Sequence, residues 1–163
     1  MRGPKSLEIA ARLAEGTVLA DFVSAEYIEW VRDIVGPDHR LTVFTSLAMG
    51  PTIAHQDIRR SMAGYLAEVA HGGVSNGVPM SLQKASFFDE LASRATETSW
   101  FEAAVAMPDD WWTQVLPFGL PEQAASYVHS IVEAGAHAVI FFPDPADPAD
   151  ATALAAEQLM PLL

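Results

Sequence analysis

The sequence has no cysteine, few basic residues and no long apolar run. Without cysteine, the chain forms neither a disulfide framework nor a thiolate metal site. Only 9 Lys and Arg residues accompany 21 Asp and Glu residues, and the formal charge of -12 disfavours binding to nucleic acid or anionic lipid. No apolar run approaches the roughly 20 residues of a membrane span, and the first residues lack the apolar core of a secretory signal. We therefore expect a cytoplasmic protein whose partner is a small molecule or another protein.

Hydrophobic residues make up 50% of the 163 positions, which is enough for a single domain, 1–163, with a buried core. Short apolar runs predict three strands, at 17–20, 41–45 and 138–142. The last of these runs has no polar alternation, so we expect this strand to be covered on both faces.

Apolar residues at helical spacing predict helices before, between and after these strands. The predicted helices span about 4–14, 25–35, 52–70, 121–133 and 149–160. Between residues 72 and 119, turns and short helical pieces near 82–94 and 100–115 indicate an insertion before the last strand. Strands that alternate with helices predict an α/β fold with a parallel sheet.

Three segments carry a family resemblance: GPKSLEIAARLAEGTVLADFVSAEYIEWVRD, PEQAASYVHSIVEAGAHAVIFFP and DPADATALAAEQLMPLL. In order and spacing they resemble the C-terminal part of the luciferase-like monooxygenase family of flavin- and deazaflavin-dependent oxidoreductases. The resemblance implies a partial TIM (β/α)8 barrel, in which the three strands are the sixth, seventh and eighth. It also implies hydride transfer through bound FMN or coenzyme F420, a deazaflavin, to or from a small-molecule substrate.

A complete barrel needs about 250 residues and eight strands, so a three-strand piece would expose two sheet edges. We expect a homo-oligomer, a complementary barrel partner, or a truncated product of a longer gene. The alternative to an oxidoreductase is a non-catalytic partial barrel that oligomerises or binds a partner. No catalytic residue is assigned, because relatives place much of the pocket on the first four strands.

The first helix begins with a candidate phosphate site. Gly3, Pro4, Lys5 and Ser6 supply backbone N–H groups, a hydroxyl and a cation near a helix N-terminus, with Arg2 adjacent. The last helix instead begins among acidic residues that would repel an anion. The resemblance implies that the Gly-Pro turn contacts the phosphate of the flavin or deazaflavin. The alternative is an ordinary helix start, since Pro is common at the first helical position.

Two residues at the end of the first strand, Asp21 and Phe22, are candidates for a wall beside the cofactor, or simply a strand end before a helix cap. At Leu120, relatives often have a capping Thr, so this helix is expected to lack a side-chain cap.

Among the histidines, His55 lies on the catalytic side as a candidate acid or substrate contact, or as an exposed first-turn residue. The other four are expected to be structural or solvated, and no spacing fits a metal site. These four are His39, His71, His129 and His137. Four aromatic residues of the insertion are expected to pack it onto the barrel, the alternative being a substrate lid or a subunit contact. They are Trp100, Phe101, Trp111 and Trp112.

Overall fold

The computed structural model describes residues 3–20, 22–50, 55–71, 78–142 and 148–163. Its main sheet has three parallel strands, β1 (Gly16–Ala20), β2 (Arg40–Ser46) and β5 (Ala138–Phe142), in the order β1-β2-β5. Two shorter strands, β3 (Ala48–Met49) and β4 (Phe118–Gly119), form a separate parallel pair. The predicted α/β class and the parallel direction of the three strands are confirmed.

Helices alternate with the strands of the main sheet. The helices are α1 (Pro4–Leu13), α2 (Ala25–Val35), α3 (His55–Ala70), α4 (Met80–Gln83), α5 (Phe88–Glu97), α6 (Trp100–Val105), α7 (Asp109–Val115), α8 (Pro121–Glu133) and α9 (Pro148–Leu154). After α9 the chain continues as a π-helical turn, Ala155–Leu159, and a 3-10 turn, Met160–Leu162. The two helical pieces predicted in the insertion, near 82–94 and 100–115, each consist of two separate helices in the structure. Pro108 separates α6 from α7, because its ring disfavours helical backbone at the preceding residue.

One face of the sheet packs against α1, α2 and α8. Leu19 and Val43 lie on this face among apolar residues of the three helices, such as Leu7, Ile28 and Ile131, and each of these five side chains is fully buried. Only Ala14 and Glu15 separate α1 from β1, so the helix runs antiparallel to the strand. The N-terminus of α1 therefore lies on the side of the sheet where the strands have their carboxyl ends.

The opposite face of the sheet is apolar and exposed. Val18, Phe44, Ile140 and Phe142 are exposed by 55%, 38%, 48% and 48%, and Phe44 pairs in register with Ile140. The expectation that 138–142 is covered on both faces is therefore wrong for the described chain. The run is apolar on both faces, but among the described residues helices cover mainly the face that carries Val139 and Phe141. We name the four residues the open sheet face.

The insertion has its own core, which continues from α3 through α7 to β4. Leu66, Leu91, Trp112 and Phe118 are fully buried in it. The β3–β4 pair joins the two ends of this region, because Ala48 pairs with Phe118 immediately after β2 and shortly before α8. Two-residue strands have no periodicity, and the sequence pattern did not predict them.

The amino ends of the strands hold two histidines in structural roles. His39 is buried, and its Nε2 lies 2.8 Å from Thr17 Oγ1. His137 Nδ1 accepts a hydrogen bond from the Leu41 amide at 3.2 Å. Arg32 joins the same region by donating to the carbonyl of His39. His71 and His129 are exposed, as expected.

Candidate functional site

A cavity of about 390 Å³ lies at the carboxyl ends of the main-sheet strands. The end of β2 and the loop behind it form its floor, and α3 and α9 contribute further walls. The lining residues are Phe22, Phe44, Thr45, Ser46, Leu47, Ala48, Met49, Ile58, Ser61, Met62, Tyr65, Leu116, Phe142 and Ala151. Parallel α/β folds bind ligands at this end of the sheet, which makes the cavity the candidate site.

Two aromatic pairs line the cavity. The rings of Phe44 and Phe142 have centroids 6.0 Å apart, and those of Phe22 and Tyr65 are 5.4 Å apart. Met62 also lines the cavity, and a thioether side chain adapts to varied apolar shapes. The walls are therefore suited to a flat or branched apolar group.

Phe22 has a left-handed backbone, with φ of 51°. This conformation is strained for a bulky residue and is concentrated at functional sites. Neighbouring contacts hold the turn: Tyr127 donates a hydrogen bond to the Val23 carbonyl at 3.0 Å, and the Ser24 hydroxyl accepts one from the Tyr27 amide at 3.2 Å. Phe22 is only 2% exposed, and its ring centroid lies 6.5 Å from that of Trp112.

Tyr127 lies directly behind the cavity. Complete burial raises the pKa of its phenol well above the ordinary value, while a hydrogen bond with Thr45 acts in the opposite direction. Because Thr45 lines the cavity and Val23 follows Phe22, one buried hydroxyl group connects the ends of β1 and β2. Tyr127 was expected only as part of a helix, and a single tyrosine in an apolar stripe gives no signal of this role.

The N-terminus of α1 meets some requirements of a phosphate site. Gly3 is its N-cap, no side chain caps it, and its first turn has no acidic residue. Lys5 is exposed and Ser6 is half-buried at the same end. The first N–H groups of a helix have no intrahelical partner, so this end fits an anion chemically. A Cβ at Gly3 would meet no atom within 4 Å, so the turn does not require glycine sterically.

The predicted site residues do not all meet at the cavity. Phe22 lines it, whereas Gly3, Pro4, Lys5 and Ser6 lie on the same side of the sheet but outside the lining. Arg2, Asp21 and the side chain of His55 lie outside the described residues. The cofactor-binding roles of Gly3 to Ser6, Asp21 and Phe22 stay predictions, and so does the role of His55 as an acid or substrate contact.

The insertion aromatics pack within the fold. Trp111 stacks on Phe87 with ring centroids 4.8 Å apart, and Trp112 is fully buried. Trp100 stacks on Phe88, and Arg60 lies over the ring of Phe101. None of the four lines the cavity described above. Trp112 also approaches Phe22 at the end of β1, so this residue packs the insertion against the main-sheet unit as expected, whereas Trp100 and Trp111 stack within the insertion. A subunit contact by the partly buried members of the set stays a prediction.

Some of the residues that line the cavity belong to the apolar stripe of the helix predicted at 52–70, which is α3. Ile58, Met62 and Tyr65 follow one face of α3 at helical spacing, a pattern that indicates burial against a core. The structure shows that this stripe packs against the core and also contributes to the cavity wall, while Leu66 of the same helix is fully buried. Helical periodicity cannot distinguish a core from a cavity lining.

The described residues contain neither a metal-ligand cluster nor a membrane-spanning helix. No group of three or more His, Asp or Glu side chains in this part of the chain could hold a metal ion. Among the same residues, no helix has the length and apolarity needed to cross a membrane.

Comparison with known proteins shows a shared fold. No protein-family model matches the sequence, and no curated protein matches it either. The structure is similar to that of the coenzyme F420-dependent tetrahydromethanopterin reductase from Methanopyrus kandleri, with a TM-score of 0.64 and 14% sequence identity. The alignment covers 99% of this chain and 49% of the reductase chain, so this chain spans about half the length of that protein.

Proposed function

We propose that residues 1–163 are the C-terminal part of a deazaflavin-dependent oxidoreductase that acts on a small-molecule substrate with coenzyme F420. The observation that carries this proposal is the apolar cavity at the carboxyl ends of three parallel strands. The name of the structurally similar reductase favours coenzyme F420 over FMN. The same comparison supplies the oxidoreductase class.

A partial (β/α)8 barrel accounts for the one-sided sheet. In a complete barrel, helices cover the outer face of the strands and side chains of the other strands fill the interior. Here α1, α2 and α8 correspond to the outer layer, and the open sheet face corresponds to the interior. We therefore assign β1, β2 and β5 to the sixth, seventh and eighth barrel strands.

The N-terminus of α1 would hold the phosphate of the coenzyme. The Gly3 and Lys5 amides, the Ser6 hydroxyl and the Lys5 ammonium group are the available donors. When bound, a deazaflavin supplies a two-electron hydride exchange. The role of this chain is to anchor the phosphate, orient the substrate against Phe22 and exclude water with the apolar walls.

A titration with coenzyme F420, followed by its visible absorbance or fluorescence, tests the proposal. We expect saturable binding by the native chain. Lys5→Gln should weaken it about three- to tenfold, because a charge-assisted contact to phosphate is lost. Arg12→Gln is the matched control, since it removes one exposed positive charge from the opposite end of α1 and should leave the affinity unchanged.

Two results would contradict parts of the proposal. If the native chain does not change the spectrum of coenzyme F420, the deazaflavin function is wrong. If the chain binds the coenzyme but Lys5→Gln and Arg12→Gln weaken binding equally, the phosphate lies elsewhere and the attraction is only long-range.

A second candidate function is partner binding without catalysis. The open sheet face favours it, because contiguous exposed apolar side chains are typical of an interaction surface. In that case the chain associates with a second copy or a complementary barrel partner and leaves the spectrum of coenzyme F420 unchanged.

A further inference from the structure

We propose that the cavity binds an uncharged, largely apolar organic substrate and rejects anionic ones. This assignment rests on the proposed function, because the molecule in the cavity is the one that would exchange hydride with the coenzyme. It adds the chemical class of that molecule, which neither the fold nor the name of the similar reductase specifies.

The described lining of the cavity is uncharged. Among the described residues that line the cavity, every side chain is apolar or hydroxylic, and none is ionised at neutral pH. A carboxylate or phosphate placed here would lose its water without gaining a counter-ion from the described lining residues, which is costly in an apolar environment.

Aromatic side chains determine the shape of the cavity lining. Phe44 and Phe142 contact the ligand space from the sheet, and the Phe22–Tyr65 pair borders it from β1 and α3. Aromatic walls of this kind bind rings or branched hydrocarbon by burying apolar area and by offset stacking. The strained but tightly held turn at Phe22 presents its ring in a fixed position, so little reorganisation is needed on binding.

Hydroxyl groups supply the limited polarity that an uncharged substrate needs. Ser46 and Ser61 line the cavity, and their hydroxyls have no protein hydrogen-bond partner within the described ranges. A carbonyl or alcohol oxygen of the substrate can therefore bond to either of them. A few placed polar groups in an apolar pocket fix the orientation of a ligand.

Two naphthalene probes with the same ring test the assignment. Naphthalenemethanol is uncharged, whereas naphthoate is an anion at pH 7. We expect isothermal titration calorimetry to give a Kd for naphthalenemethanol at least about tenfold lower than that for naphthoate, since only the anion must be desolvated without a partner.

A pair of variants locates the binding. Phe142→Ala removes a cavity wall and should raise the Kd for naphthalenemethanol about tenfold. Ile140→Ala is the matched control: Ile140 lies on the same strand and sheet face, is exposed by the same 48%, and is not part of the lining. It should change the Kd by less than about twofold.

The outcomes separate this assignment from the proposed function. The assignment of the cavity is wrong if naphthoate binds as tightly as naphthalenemethanol or more tightly. It is also wrong if the two variants have equal effects, or if naphthalenemethanol does not bind. If the same preparation still binds coenzyme F420, the proposed function stands and only the substrate class is wrong. If coenzyme F420 does not bind but the probes behave as expected, the cavity takes neutral ligands and the oxidoreductase function fails.

Discussion

At the end of β1, one buried phenol stabilises a strained turn. Phe22 has positive φ, and the hydroxyl of Tyr127 donates to the carbonyl of the next residue, Val23. The same phenol is hydrogen-bonded with Thr45 on β2. At the scale of single residues, the shape of the cavity therefore depends on a group that is not in its lining.

Tyr127→Phe should lower the free energy of unfolding by about 1–3 kcal/mol at pH 7, because the Val23 carbonyl loses a buried donor. Burial raises the pKa of this phenol in the folded state. The unfolded chain therefore releases the proton first, and this contribution to stability is present below about pH 10 and decreases above it, by at most about 1.4 kcal/mol per pH unit. Denaturant unfolding measured from pH 7 to 11 should show that the difference in free energy of unfolding between the native chain and the variant becomes smaller above about pH 10.

Trp112→Phe is the control for that experiment. Trp112 is fully buried and its Nε1 has no hydrogen-bond partner among the described residues, so the change removes packing but no titrating group. The difference in free energy of unfolding between this variant and the native chain should stay constant over the same pH range. A difference for Tyr127→Phe that is equally constant would contradict the role of the phenol.

Single-residue features of the site were the least predictable from sequence. Aromatic residues rarely adopt positive φ, so propensity argues against the conformation that Phe22 has. Phe22 was nevertheless a candidate from its place after β1, and it does line the cavity. Position along the chain was informative where residue type was not.

At the scale of elements, α8 begins with an incomplete cap. Leu120 is the N-cap and has no side-chain acceptor, while Gln123 Oε1 accepts a hydrogen bond from the Leu120 amide at 2.8 Å. The predicted lack of a side-chain cap at Leu120 is confirmed. The Gln123 contact supplies the other half of a capping box.

Leu120→Thr should therefore raise the free energy of unfolding by about 0.5–1 kcal/mol, because a hydroxyl there can accept from the N–H of Gln123. Leu120 is 42% exposed and has an extended backbone, so little packing is lost. Thermal unfolding should show an increase of about 1–4 °C. Leu120→Val is nearly isosteric with Thr but has no hydroxyl; an equal gain from it would show that capping is not the cause.

Elements with a clear period were predictable, and those without one were not. The three main strands and α2 and α8 agree with the patterns of apolar residues and their stop signals. The sequence pattern merged α6 with α7, because helices of 6 and 7 residues span fewer than two turns and show no repeated period. The β3–β4 pair depends on contacts between distant segments, which no local pattern encodes.

At the scale of the whole molecule, the open sheet face should drive association. We expect light scattering to show a dimer or larger species at micromolar concentrations, because exposed Val18, Phe44 and Ile140 gain from burial. Ile140→Lys should shift the chain towards a monomer. Ile9→Lys is the control, since Ile9 is also 48% exposed but lies on α1. A native monomer at all concentrations, or equal effects of both variants, would contradict this expectation.

Coverage of the sheet could not be predicted from the strands alone. An apolar run without alternation is typical of a strand with two covered faces, and 138–142 has that composition. Whether a layer is present on each face depends on what else the chain or its partners provide. The composition of this strand is therefore typical of a sheet with more coverage than the described residues provide.

The β3–β4 pair also bears on how the chain tolerates changes in length. Because Ala48 and Phe118 are neighbours, the segment between β3 and β4 begins and ends at nearly the same point. Such a segment can be lengthened, shortened or exchanged as a cassette without moving β2 or α8. We therefore expect changes in the length of this segment to leave the main sheet in place.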